Sequence, residues 1–168
     1  MELIDVVNEK NEVVGKATRK EVHEKKLPHR TVMFFVVSND GRVLITKRSN
    51  DKEFFGGHWS VVLGGHVSSG DSYEKTLLKE MEEEIGTVGE HVHIGNFVKE
   101  LPEEIEHVSL FKTTVPPEEV RLNPNEFQEG EFVPFNEIDE HLKHKKFLPE
   151  TETVLDKMKD FDKTIDHQ

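Results

Sequence analysis

Glu80, Glu82, Glu83 and Glu84 crowd into five residues of a segment that opens on the glycine turn Gly64-Gly65. Glu80, Glu83 and Glu84 are spaced i, i+3, i+4, so on a helix they converge on one point. Like charges at that spacing cost a helix about 0.2–0.5 kcal/mol. A hard divalent cation reverses the sign, because magnesium accepts carboxylate oxygens, keeps some waters and recruits substrate phosphates. An acidic run alone reads as a solvated face. Joined to a glycine turn, it reads as a site that holds a metal against a diphosphate.

The helix that must carry these groups is legible in the same stretch. Asp71 and Ser72 are both good N-cap residues. From Tyr73 to Ile85 there is no Gly or Pro, and strong helix formers dominate. Gly86 stands where a left-handed cap often ends a helix. Leu77, Leu78, Met81 and Ile85 form one apolar stripe, with the glutamates on an adjacent one.

This turn and helix resemble the signature of Nudix hydrolases. The family's box reads glycine, five residues, glutamate, seven residues, then arginine–glutamate–apolar–any–glutamate–glutamate–any–glycine–apolar. Here it starts at Gly65, with Asp71 at the first acidic position and Lys79 at the arginine. Glu80, Met81, Glu83, Glu84 and Gly86 match, and Thr87 departs from the last apolar position. The resemblance implies that Glu80, Glu83 and Glu84, with the carbonyl of Gly64, bind magnesium or manganese. Asp71 would support that cluster through water, and Lys79 would orient Glu80 less rigidly than an arginine, which has a planar fork. Glu80, Glu83, Lys79 and Asp71 are thus the implied catalytic set. Such metals polarise a diphosphate and lower the pKa of a bound water. For the general base outside the box, Glu104, Glu106, Glu126 and Glu129 are candidates.

The likeness extends over most of residues 2–135 to the branch that includes type I isopentenyl diphosphate isomerase. By that resemblance Arg48 and Lys52, placed before Trp59 as in the isomerase, would hold the substrate diphosphate. Arginine clasps phosphate bidentately and lysine acts as a point charge. The isomerase also carries a site of three histidines and two glutamates. His66 matches it by position, Glu104 and Glu106 show the Glu-x-Glu alternation of one strand face, and His23 and His29 lie near the other two positions. A histidine–carboxylate set suits manganese, zinc or iron. The isomerase reaction needs a cysteine where this chain has Gly64, so hydrolysis is favoured over isomerisation. The readings are a metal-dependent hydrolase of a nucleoside diphosphate derivative or other organic diphosphate, an isoprenoid-diphosphate enzyme, and a noncatalytic binding module.

The surrounding elements alternate between strand and helix. Residues 2–8 and 12–17 read as a hairpin, and Thr18 with Glu21 as a capping box for a short helix. The apolar run Val32–Val37 suits a central strand buried on both faces. Asn39-Asp40-Gly41 turns the chain into a strand over 42–47, and residues 49–58 read as a polar loop. Strands are expected near 92–100, 106–115 and 131–135, and helices over 136–144 and 150–161. The order implies an α/β fold, the Nudix α/β/α sandwich with a mixed β-sheet, as a single domain over 1–168.

Composition narrows the partners. The chain of 168 residues carries a net charge of −12, which argues against nucleic acid polymers and anionic membranes but not against a small-molecule diphosphate offset by a metal. With no Cys there is no disulfide, thiol nucleophile or cysteine metal site. No secretory signal and no apolar run of about 18 residues is visible, and a cytoplasmic location is expected.

Overall fold

The computed structural model describes residues 2–52 and 54–166, with side chains through residue 163; Glu53 of the expected polar loop lies outside them. β1 (Leu3–Val7) and β2 (Val13–Thr18) pair antiparallel as the expected hairpin. Thr18 then closes a capping box with Glu21 and starts α1 (Arg19–Lys25). β3 (His29–Val37) is the centre of the sheet. It runs parallel to β8 (Ile105–Thr114) and antiparallel to β6 (Leu63–His66). β4 (Arg42–Arg48) meets β3 only at Val43 opposite Val37, then pairs with β5 (Trp59–Ser60) and β9 (Phe127–Pro134). β7 (Glu90–Glu100) lies antiparallel on β8.

The alternation of β3 divides the core into two layers. Val32, Phe34 and Val36 pack with Leu77, Met81 and Ile85 of α2 (Tyr73–Ile85). Met33, Phe35 and Val37 face the other way, toward Ile138 of α3 (Ile138–His144) and Val154, Leu155 and Met158 of α4 (Thr151–Asp166). Each such side chain, fully buried, contributes about 1.5–3 kcal/mol of transfer free energy. A mixed sheet between helical layers is the α/β architecture expected. Leu78 departs from its expected stripe and is 37% exposed. The buried face of α2 turns toward Thr76, Leu77, Met81, Glu84 and Ile85 instead, so a glutamate takes the inward place.

Two devices aim α2 at the sheet. Ser72 is the N-cap and accepts from Lys75 N at 3.0 Å, while Gly86 ends the helix at φ 73°. The segment after β8 then folds back over the helix end. Arg121 N donates to the Ile85 carbonyl at 2.7 Å and Asn123 N to the Glu84 carbonyl at 3.0 Å, satisfying acceptors that a helix C-terminus leaves free. The chain therefore enters β9 beside the acidic face, and β9 begins at Phe127, earlier than the expected 131. No helix among the described residues is long and apolar enough to cross a membrane.

Candidate active site

A cleft of about 830 Å³ opens where β3 and β4 part company. α2 supplies Glu80, Glu83, Glu84 and Lys79 to its wall, and β6 supplies Gly64 and Gly65. The absence of a side chain on Gly65 is what admits Glu80, since a Cβ there would stand 2.5 Å from the Glu80 carboxylate. Burial, then repulsion from Glu83, pushes the Glu80 carboxyl up to about 7. Glu84 is 7% exposed, its Oε2 has no hydrogen-bond partner, and burial followed by the charges of Glu80, Glu126 and Glu83 raises it well above the usual range. Carboxyls so packed and so short of donors fit a hard cation. Glu80, Glu83, Glu84 and the strand backbone at Gly64 are the groups that could hold it.

The cations before Trp59 enter the same cleft. Arg48 Nη2 donates to the Phe54 carbonyl at 3.2 Å, and its Nε is buried with no partner. Lys52 forms a close ion pair with Glu126, and both line the cleft. Of the candidate bases, Glu126 is the one whose charge acts on both Glu80 and Glu84. Glu129 lies opposite Lys47 on β9, exposed and outside the cleft lining. Asp71 accepts from Lys75 Nζ at 2.9 Å and is also outside that lining. Lys79 is exposed and draws the Glu80 pKa down through its charge.

At the other end of the cleft, sheet register assembles a second group. His29 on β3 is opposite Glu106 on β8, and Thr31 is opposite His66 on β6. Ligand atoms of His29, His66, Glu104 and Glu106 all lie within 4.8 Å of one another. His29 Nε2 and His66 Nε2 each stand 3.5 Å from Glu106 Oε2, long for a hydrogen bond, and Thr31 donates to that same oxygen. The His29 Nδ1 is 2.9 Å from the Leu27 carbonyl, which can only accept, so Nδ1 carries a proton and Nε2 faces the Glu106 carboxylate. Burial pushes His66 down to about 4, so it is neutral near pH 7. The His23 ring meets that of His66 edge-to-face at 5.7 Å, with Phe54 beyond it at 5.9 Å. Sequence reasoning missed Lys99 and Glu150, which also reach this end. Neither belongs to a motif, and only the pairing of β7 with β8 and the docking of α4 bring them in.

A mixed sheet between helical layers, with an acidic helix beside a glycine turn, defines a class of α/β protein. The NUDIX domain model matches residues 27–151, and the chain belongs to that family. An uncharacterised Nudix hydrolase of Streptomyces coelicolor, SCO1686, is 36% identical over 88 residues, 52% of this chain and 49% of that protein. The Escherichia coli relative YfcD, also an uncharacterised Nudix hydrolase, is 33% identical over 88 residues, 52% of this chain and 49% of its own length. The match thus spans about half the length of these curated relatives. Among solved structures, DR0079 from Deinococcus radiodurans superposes with a TM-score of 0.77 over 92% of this chain and 97% of its own, at 23% identity. The NUDIX domain of Shewanella oneidensis NrtR, solved in complex with ADP ribose, gives 0.63 over 86% and 98%, at 14% identity. At these identities the structural likeness is one of fold.

Proposed function

We propose that this chain is a metal-dependent hydrolase that cleaves the diphosphate linkage of a nucleoside diphosphate derivative or another organic diphosphate. The observation that carries the reading is the buried Glu84 carboxylate, its Oε2 without a donor, beside Glu80 in a cleft that Arg48 and Lys52 also line. Magnesium or manganese held by Glu80, Glu83 and Glu84 would supply Lewis acidity to the diphosphate and a nucleophilic water at neutral pH.

The chain's own residues would divide the remaining work. Arg48 and Lys52 would bind the phosphoryl oxygens. Glu126 is the favoured proton acceptor among the four candidates, since Glu104 and Glu106 are taken up with Lys99 and Glu129 is outside the cleft. Binding of substrate phosphate by Lys52 would release Glu126 from its ion pair. Lys79, on the cleft wall, would act on Glu80 through its charge, and Asp71 would support the acidic cluster from outside the cleft lining. The ADP ribose complex of the NrtR domain supports including nucleoside diphosphate sugars in the substrate class.

An isoprenoid-diphosphate enzyme of the isomerase type is less well supported. A Cβ built on Gly64 would collide with the Val32 carbonyl oxygen of the neighbouring strand, so the position has neither a thiol nor room for one. A second reading concerns the histidine–glutamate end alone. The Nε2 of His29, buried and without a hydrogen-bond partner, favours a transition metal there in addition to the magnesium site.

Turnover of nucleotide, sugar-nucleotide and prenyl diphosphates in magnesium and in manganese tests the proposal. Hydrolysis of a nucleotide-linked diphosphate is expected. Isomerisation of isopentenyl diphosphate would overturn the argument from Gly64, and metal binding without turnover of any diphosphate would leave a binding module.

A further inference from the structure

Lys99 reaches from β7 into the histidine–glutamate end of the cleft and stands among three carboxylates. Its Nζ is 3.0 Å from Glu104 Oε1, 3.3 Å from Glu106 Oε1 and 3.6 Å from Glu150 Oε2. The lysine side chain is 11% exposed, and those of Glu106 and Glu150 less still. Glu106 therefore serves two masters. Its Oε1 faces the ammonium, while its Oε2 faces His29 and His66.

We propose that Lys99 is the resident cation of this pocket and sets its affinity for a transition metal. The inference rests on the second reading above, that His29, His66, Glu104 and Glu106 form a metal site. Two observations point to a ligand there. The donor atoms lie within 4.8 Å of one another, and His29, 1% exposed, aims into the group a buried Nε2 that makes no hydrogen bond and stands 3.5 Å from Glu106 Oε2. Yet a divalent ion held by those atoms would share its carboxylates with an ammonium. Charge repulsion a few ångströms away in a poorly solvated pocket is severe, and Glu104 and Glu106 cannot give their full charge to both cations. Glu150 strengthens the competitor, because it contacts Lys99 and is not among the clustered ligands. With Lys99 present the pocket takes a transition metal weakly. With a neutral residue in its place, the same histidines and glutamates form a tight site. A lysine that only ties β7 and β8 to α4 predicts loss of stability on replacement and no response to metal.

Cobalt(II) tests this directly, because histidine and carboxylate ligation gives it a visible absorption band. Titrations are run in excess magnesium on the wild type, on Lys99→Met and on Lys99→Met/Glu150→Gln, which removes one charge of each sign. Cobalt is expected to bind the variants at least about a hundredfold more tightly than the wild type, and the added His66→Ala substitution should abolish the band. Where a metal-free variant is unfolded, cobalt-dependent refolding followed by circular dichroism is the equivalent expectation. Equal cobalt affinity in wild type and variants, or variants that neither bind cobalt nor refold with it, would overturn the proposal. Absence of the band from every protein would also remove the second metal reading, while magnesium-dependent hydrolysis at the box stays separately measurable.

Discussion

Gly65 and Glu80 occupy one space. The carboxylate lies where a side chain on residue 65 would begin, at 2.5 Å from the Cβ that glycine lacks. Gly65→Ala should therefore displace Glu80 while leaving the β3–β6 pairing in place. A shift of about 1 Å in a reacting constellation costs on the order of a hundredfold. The expected result is a loss of that order in kcat with a melting temperature close to wild type. Unchanged kcat would mean that Glu80 is not confined by this contact.

The crowded carboxyls make metal-free stability depend on pH with a definite sign. Burial and Glu83 raise Glu80 from 4.5 to about 7 in the folded chain. A carboxyl raised in this way holds its proton more tightly folded than unfolded, so its destabilising effect is absent below about 4.5 and complete above about 7. Glu84, raised by burial and then by Glu80, acts in the same direction. His66, lowered to about 4 from 6.5, acts oppositely over that lower window, so the comparison to make is wild type against Glu80→Gln. In EDTA the variant should gain stability relative to wild type as pH rises from about 4.5 to about 7, and magnesium should erase the gain. Thermal melts across that range check both.

Arg48 offers a buried Nε with no partner, while one Nη already serves the Phe54 carbonyl. Arg48→Lys keeps the charge and loses the planar fork. KM for the diphosphate should rise on the order of tenfold, as for loss of one charge-assisted hydrogen bond, with kcat less affected. A KM unchanged in both Arg48→Lys and Arg48→Ala would remove Arg48 from substrate binding.

Glu126 is held by Lys52 beside Glu80 and Glu84. As a proton acceptor its loss should cost about 10²–10⁴ in kcat. Glu126→Gln should lie in that range with KM and melting temperature close to wild type. A variant within a few-fold of wild type in kcat would shift the role to another group.

Local spacing made much of this molecule legible. The glutamates of α2 are neighbours on one helix, so their convergence needed only the helical period, and Ser72 and Gly86 mark that helix at both ends. The β3 core run and the Thr18 capping box were readable for the same reason. Leu78 was misjudged because the stripe alone does not say how far a helix rolls on its sheet. The Lys99 cluster lay beyond reach, because its contacts join β7, β8 and the start of α4 through strand register and helix docking. Glu126 separated from Glu129 only once the chain was seen to cap α2 on its way into β9.

The central claim is that the α2 glutamates hold the metal that hydrolysis requires. Its most direct test is magnesium-dependent diphosphate hydrolysis by wild type and Glu83→Gln, measured side by side with magnesium binding by calorimetry. The account predicts a fall of at least about a hundredfold, weakened magnesium binding and an unchanged fold. Wild-type rates in Glu83→Gln would contradict it and place the metal elsewhere.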